Sequence, residues 1–185
     1  ERLRKLLIQA YEVKEKAAAL YQEACRNKGV TPEKLDGPAL WKPAADLNGL
    51  LEQGRIASIN LRAEALGPDV SGLQELIMYG LKGMAAYTDH AHVLGEEDDS
   101  IYAFVFEALD FLAGTETDLN KYLGMALKVG EVNIKAMELL DKGNTGRFGH
   151  PVPTEVRVTP VKGKAILVSG HDLEDLDALL KQTEG

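Results

Sequence analysis

The residue of this chain best able to do chemistry is a histidine placed where an apolar run gives way to a turn and then to a helix. Residues 165–169 (AILVS) have the apolar character of a buried strand, Gly170 interrupts it, and His171 and Asp172 lead into a helical pattern. A side chain at the carboxyl end of a buried strand points into the crevice where α/β sheets place their ligands. His171 has two readings. It is a turn residue that helps cap the helix, or it is a metal ligand, a neutral imidazole suited to iron or zinc with Asp172 fixing the turn. Gly170, His171 and Asp172 lack the Gly-rich fingerprint of a dinucleotide site.

Other chemistry-bearing residues read more plainly. His90 and His92 are two positions apart, so on a helix they point to different faces, unlike the i, i+4 pair that shares a metal. They are expected at the surface or partly buried, with the carboxylates from Glu96 to Asp99 near enough for an adventitious cation. That acidic run lacks the alternating ligands of a calcium loop and reads as a solvated helix start. His150, before Pro151, is a loop residue. The single Cys25 can form neither an internal disulfide nor a Cys-rich zinc or iron–sulfur site, and is expected as a buried small hydrophobe. No hydroxyl–base–carboxylate set for nucleophilic catalysis stands out.

The elements that must position these residues are mainly helical. Residues 1–28 form a helix with Leu3, Leu7, Ala10, Ala17, Tyr21 and Ala24 as its stripe and Gly29 as its stop. Val30–Pro43 is a loop in which Pro32 could open a short helical turn and Trp41 anchors the segment on the bundle. Helical patterns cover 44–51 and 54–65. A third long helix is expected up to Gly95, capped by Ser71 with Gln74 and facing inward through Leu73, Leu76, Ile77, Leu81, Met84 and Ala91. Gly80 and Gly83 inside it cost about 1 kcal/mol each relative to Ala, a cost that close approach of a neighbouring helix offsets. Further helices are expected at 100–113 and at about 118–141, ending at Lys142 and Gly143. Short connections favour an antiparallel bundle over 1–142. Residues 143–163, with Pro151, Pro153 and Pro160, form a linker. Strands are expected at 155–158 and 165–169, and Asp172 with Asp175 starts a last helix through Leu173, Leu176, Leu179 and Leu180. Residues 164–185 thus read as the first βα unit of an incomplete α/β domain.

The totals limit the partners. Against 21 Lys+Arg stand 29 Asp+Glu, a formal charge of −8, which argues against nucleic acid and against an anionic membrane surface. No apolar run approaches the roughly 20 residues of a membrane span, and the chain reads as soluble and cytoplasmic. It opens inside a helix with neither an initiator Met nor a capping residue, and its last strand has no partner. Both ends read as cut, and residues 164–185 are expected to be disordered, swapped or paired with a second copy when alone.

Three stretches carry a resemblance. Ser71–Gly95 (SGLQELIMYGLKGMAAYTDHAHVLG), Leu139–Pro151 (LLDKGNTGRFGHP) and Lys164–Leu176 (KAILVSGHDLEDL), with the closing LLKQTEG, are similar to the hybrid cluster proteins, also called prismane proteins or hydroxylamine reductases. The similarity covers essentially the whole chain and is weakest over 30–68. It implies a parent enzyme with a cysteine-bound iron–sulfur cluster, a helical region and two α/β domains holding a hybrid iron–sulfur–oxygen cluster. His171 matches the family's histidine ligand to an iron of that cluster. The other ligands fall before Glu1 or after Gly185, and Cys25 matches none, so no cofactor is expected in residues 1–185 alone. The implied activity is reduction of hydroxylamine, and of nitric oxide, with electrons from a reductase partner. Two other readings stay open: a fragment of a carbon monoxide dehydrogenase-like enzyme, and a helical structural or interaction module that never carries a cluster.

Overall fold

A computed structural model of the chain describes residues 1–184. Its helices are α1 (Arg2–Lys28), a single-turn 3-10 helix (Gly37–Leu40), α2 (Leu47–Ile56), α3 (Ile59–Leu66), α4 (Pro68–Val93), α5 (Asp99–Ala113), α6 (Leu119–Phe148) and α7 (Leu173–Gln182). The mainly helical expectation holds. The residues fall into two compact units, Glu1–Glu75 with Ala108–Tyr122, and Leu76–Glu107 with Leu123–Gly185.

In the first unit α1 is tied to the loop that follows it. Trp41 meets Tyr11 edge-on with ring centroids 6.4 Å apart, Lys14 Nζ donates to the Ala39 carbonyl at 2.9 Å, and Tyr21 Oη accepts from Glu33 N at 3.0 Å. Trp41 therefore anchors the loop as expected. The covered face of α1 comprises Tyr11, Lys14, Ala18, Tyr21 and the buried Cys25, whereas Leu3, Ala10, Ala17 and Ala24 are exposed. The apolar stripe expected from sequence is thus displaced, because aromatic edges and a lysine stem cover this helix as well as aliphatic groups do.

Also in the first unit, Tyr122 is fully buried. Its hydroxyl donates to the Glu116 carbonyl and accepts from Gln74 Nε2, both at 3.0 Å, while its ring meets Phe111 edge-on at 4.9 Å. Ser71 and Gln74 lie inside α4 and do not cap it, since Pro68 opens the helix in the position where a missing N–H costs nothing. Glu116 organises the turn before α6: its carboxylate pairs with Lys121 Nζ and accepts from the backbone N–H of Thr117 and Asp118 at 2.9 Å. The Lys121 ammonium first, and those two amides next, lower its pKa to about 2.

The second unit is a three-helix arrangement built from segments of α4, α5 and α6. Ile77, Leu81, Met84, Ala91, Ile101, Phe104, Val129, Val132 and Ala136 form its core, while Leu76 is exposed instead of facing inward. Neighbours run up, down and up. Gly80 lies against Val129 and Leu94 against Gly143, so α4 and α6 are parallel; Lys128 reaches Glu107 at 2.7 Å, with α5 running the opposite way. A Cβ on Gly80 would stand 2.7 Å from Val129 Cγ1, whereas one on Gly83 would meet nothing within 4 Å. Only Gly80 has the close neighbour expected for both.

Gly143 does not end α6. It is buried, and a Cβ there would lie 3.0 Å from that of Leu94, so it serves close packing, and the helix continues to Phe148 before Gly149 turns it at φ 82°. The expected strands at 155–158 and 165–169 are absent among the described residues: every residue of 149–171 is exposed, and none is paired in a ladder. The α7 helix does form, and Asp172 Oδ1 caps it by accepting from Glu174 N at 2.9 Å and Asp175 N at 3.4 Å. The expected βα unit is therefore reduced to its helix.

Two stability outcomes follow. Gly80→Ala should destabilise by about 1 kcal/mol net, overpacking of about 1–3 kcal/mol outweighing a helix gain of about 1, while Gly83→Ala should be stabilising by up to about 1 kcal/mol. Urea unfolding of the pair checks this, and equal shifts would remove the close-contact explanation. Because its folded pKa is depressed, Glu116 contributes stability above its unfolded value near 4.5 that is lost as pH falls towards 2. Thermal midpoints across that window should fall more steeply in the wild type than in Glu116→Gln.

Candidate functional site

His171 lies one residue before the α7 cap, at the rim of a hollow of about 540 Å³ that Val168, Asp172, Leu176 and His90 also line. Its imidazole is exposed, and its ring centroid is 6.1 Å from that of His90 on α4. His90 Nε2 is 4.0 Å from Asp172 Oδ2, the carboxylate oxygen not used in the cap. One turn further along α7, Arg147 at the end of α6 contacts Glu174 at 2.6 Å and Asp177 at 3.8 Å. Three side chains thus meet at the start of α7: His171 and Asp172 from the turn, and His90 from the packed helices.

The remaining candidates separate from this cluster. His92 Nδ1 pairs with Glu97 Oε1 at 2.6 Å on the exposed side of α4, so the two helix histidines do point apart. Glu96 takes Lys142 Nζ at 2.6 Å, and Asp98 Oδ1 caps α5 by accepting from Ser100 N at 2.8 Å. The hydroxyl of Ser100, and then its backbone N–H, hold Asp98 below the usual carboxylate range. The acidic run is therefore a helix start with a partner for each of these three carboxylates. His150 is exposed after α6, and Cys25 is buried in the first unit.

Sequence spacing points to His171, whereas it relates His90 only to His92 and to the carboxylates from Glu96 to Asp99. The contact with His171 and Asp172 joins segments far apart along the chain, and no local pattern encodes it.

As a donor set, one exposed imidazole fits a single terminal ligand to iron, which accepts imidazole nitrogen readily. No group of three or more His, Cys, Asp or Glu side chains able to hold a metal occurs among the described residues. A lone imidazole such as that of His171 fits a cluster only as one ligand of several. No helix among the described residues is long and apolar enough to cross a membrane.

Known proteins resemble this chain over most of its length. Hydroxylamine reductase of Acidithiobacillus ferrooxidans is 50% identical over 179 residues, which cover 97% of this chain and 32% of the relative. That of Rhodospirillum rubrum is 48% identical over 184 residues, 100% of this chain and 34% of the relative. That of Methanocella arvoryzae is 51% identical over 157 residues, 85% and 29% respectively. The chain spans about a third of the length of these curated relatives. Since the family model matches residues 1–185 throughout, the chain belongs to the Prismane/CO dehydrogenase family.

Proposed function

We propose that the whole protein reduces hydroxylamine to ammonia and water at a hybrid iron–sulfur–oxygen cluster, with His171 as one iron ligand and electrons delivered through a second iron–sulfur cluster from a reductase partner. The observation that carries this reading is the exposed imidazole of His171 at the capped start of α7, in a chain about 50% identical to proteins named hydroxylamine reductase. The family description spans carbon monoxide dehydrogenases as well, but the relatives' names favour hydroxylamine over carbon monoxide. Nitric oxide reduction at the same centre and a cytoplasmic location belong to this proposal.

The reaction breaks the N–O bond and takes up two electrons and two protons; the cluster, when bound, supplies the electrons and a Lewis-acidic iron. The chain's own residues do the holding. His171 presents a ring nitrogen that must be unprotonated to ligate, and the Asp172 cap fixes the backbone that carries it. The hollow beside them leaves room for the rest of the site. Residues 1–185 alone are proposed to carry no cluster and no activity.

Residues 164–185 are proposed to be disordered, swapped or paired with a second copy when the rest of the protein is missing, and pairing is the outcome favoured here. Ile166 and Leu167 are 70% and 96% exposed, and with Leu176 and Leu180 they present an uncovered apolar surface. A module that never carries a cluster remains the opposing outcome.

In the full-length enzyme, His171→Ala should lower hydroxylamine turnover by more than the roughly 10- to 100-fold typical of outer-shell partners and alter the hybrid-cluster spectrum, sparing the other cluster. His171→Asn keeps a polar turn residue and should fail equally. Parental turnover with an unchanged spectrum in either variant would reduce His171 to a turn residue. For self-association, light scattering of residues 1–185 should show oligomers that Leu167→Glu dissolves; a monomer at every concentration would exclude it.

A further inference from the structure

The geometry points to His90 as a positioning residue for His171, acting through Asp172: the α4 imidazole fixes the turn that carries the iron ligand. This rests on the proposed role of His171. The α7 helix has no buried residue, and the segment leading into it, 149–171, is exposed throughout. Local packing therefore does not set the direction of the His171 ring.

His90 stands on much firmer ground. Its neighbour Ala91 and the preceding turn's Met84 are fully buried, Thr88 is 6% exposed, and the Thr88 hydroxyl donates to the Met84 carbonyl at 2.9 Å. From this fixed backbone the ring reaches the start of α7 twice, by its 6.1 Å approach to the His171 ring and by its Nε2 at 4.0 Å from Asp172 Oδ2. That distance exceeds a direct hydrogen bond and lies within the range of an ion pair. Asp172 then works in two directions: Oδ1 caps α7, and Oδ2 faces α4. The link passes position from a packed helix to an exposed turn.

The other tether acts elsewhere. Arg147 is 41% exposed and its partners Glu174 and Asp177 about 30%, a solvent-screened surface pair that contributes little, and it grips α7 beyond the turn. The His90 ring instead approaches both His171 and Asp172, in a small hollow that Val93, Leu140 and Asn144 also line.

The test uses the full-length enzyme with His90→Ala, His90→Gln and, as reference, His171→Ala. Glutamine keeps an N–H donor at similar reach. His90→Ala should shift the electron paramagnetic resonance of the hybrid cluster, lower turnover by about 10- to 100-fold and speed amide exchange over residues 170–176, with α4 still protected. His90→Gln should recover most of all three. An alanine variant with parental spectrum and exchange overturns the inference, as does a glutamine variant no better than alanine. If His171→Ala itself leaves the cluster spectrum unchanged, the proposed function fails, and the exchange data alone decide whether His90 holds the turn.

Discussion

The close approach of α4 to α6 is the constraint from which the rest of the second unit follows. Absent side chains at Gly80 and Gly143 let the two parallel helices come near enough for Val129 and Leu94 to fill the space where a Cβ would stand. That spacing carries α6 past residue 143 and brings its last turn, with Arg147, to the side of α7. It also fixes the face of α4 on which His90 stands. Two glycines that cost helix propensity thereby determine where the candidate site is built.

Against this packed frame, the residues of the candidate site are loosely held. The core of the unit is made of fully or nearly fully buried side chains, while His171 and all residues from 149 onward up to it are exposed. The contrast is local and physical: a helix with its inner face covered keeps its geometry, whereas a capped ten-residue helix without buried residues depends on its few tethers. On the proposed reading, placing His171 next to such tethers lets the frame govern it without burying it.

How much of this was legible in the sequence depended on whether the signal was local. The long helices, the Asp172 cap and the role of Asp98 before α5 are written in periodicity and capping residues, and they appear as read. Gly143 was misjudged because a glycine that ends a helix and a glycine that admits a neighbour look alike until the neighbour is known. Ser71 and Gln74 matched a capping box, yet Pro68 had already opened the helix and tertiary packing drew both inside it. The strands at 155–158 and 165–169 failed for a different reason, since strand-like composition becomes a strand only when another chain segment supplies the ladder. His90 was missed because its partners lie in another part of the sequence.

The apolar residues beside His171 bear on how the site is completed. Ile166 and Leu167 precede it within a few residues, and burying each would contribute about 1.5–3 kcal/mol. On the proposed reading, the segment that covers them also delivers the ligands that His171 lacks, because both needs arise at the same end of the same exposed run. Cluster assembly and burial of this surface then become one event, with metal affinity and folding drawing on the same free energy. A turn oriented beforehand by His90 and Asp172 would enter that event with its imidazole already aimed, which lowers the conformational entropy lost when the remaining ligands close around the iron.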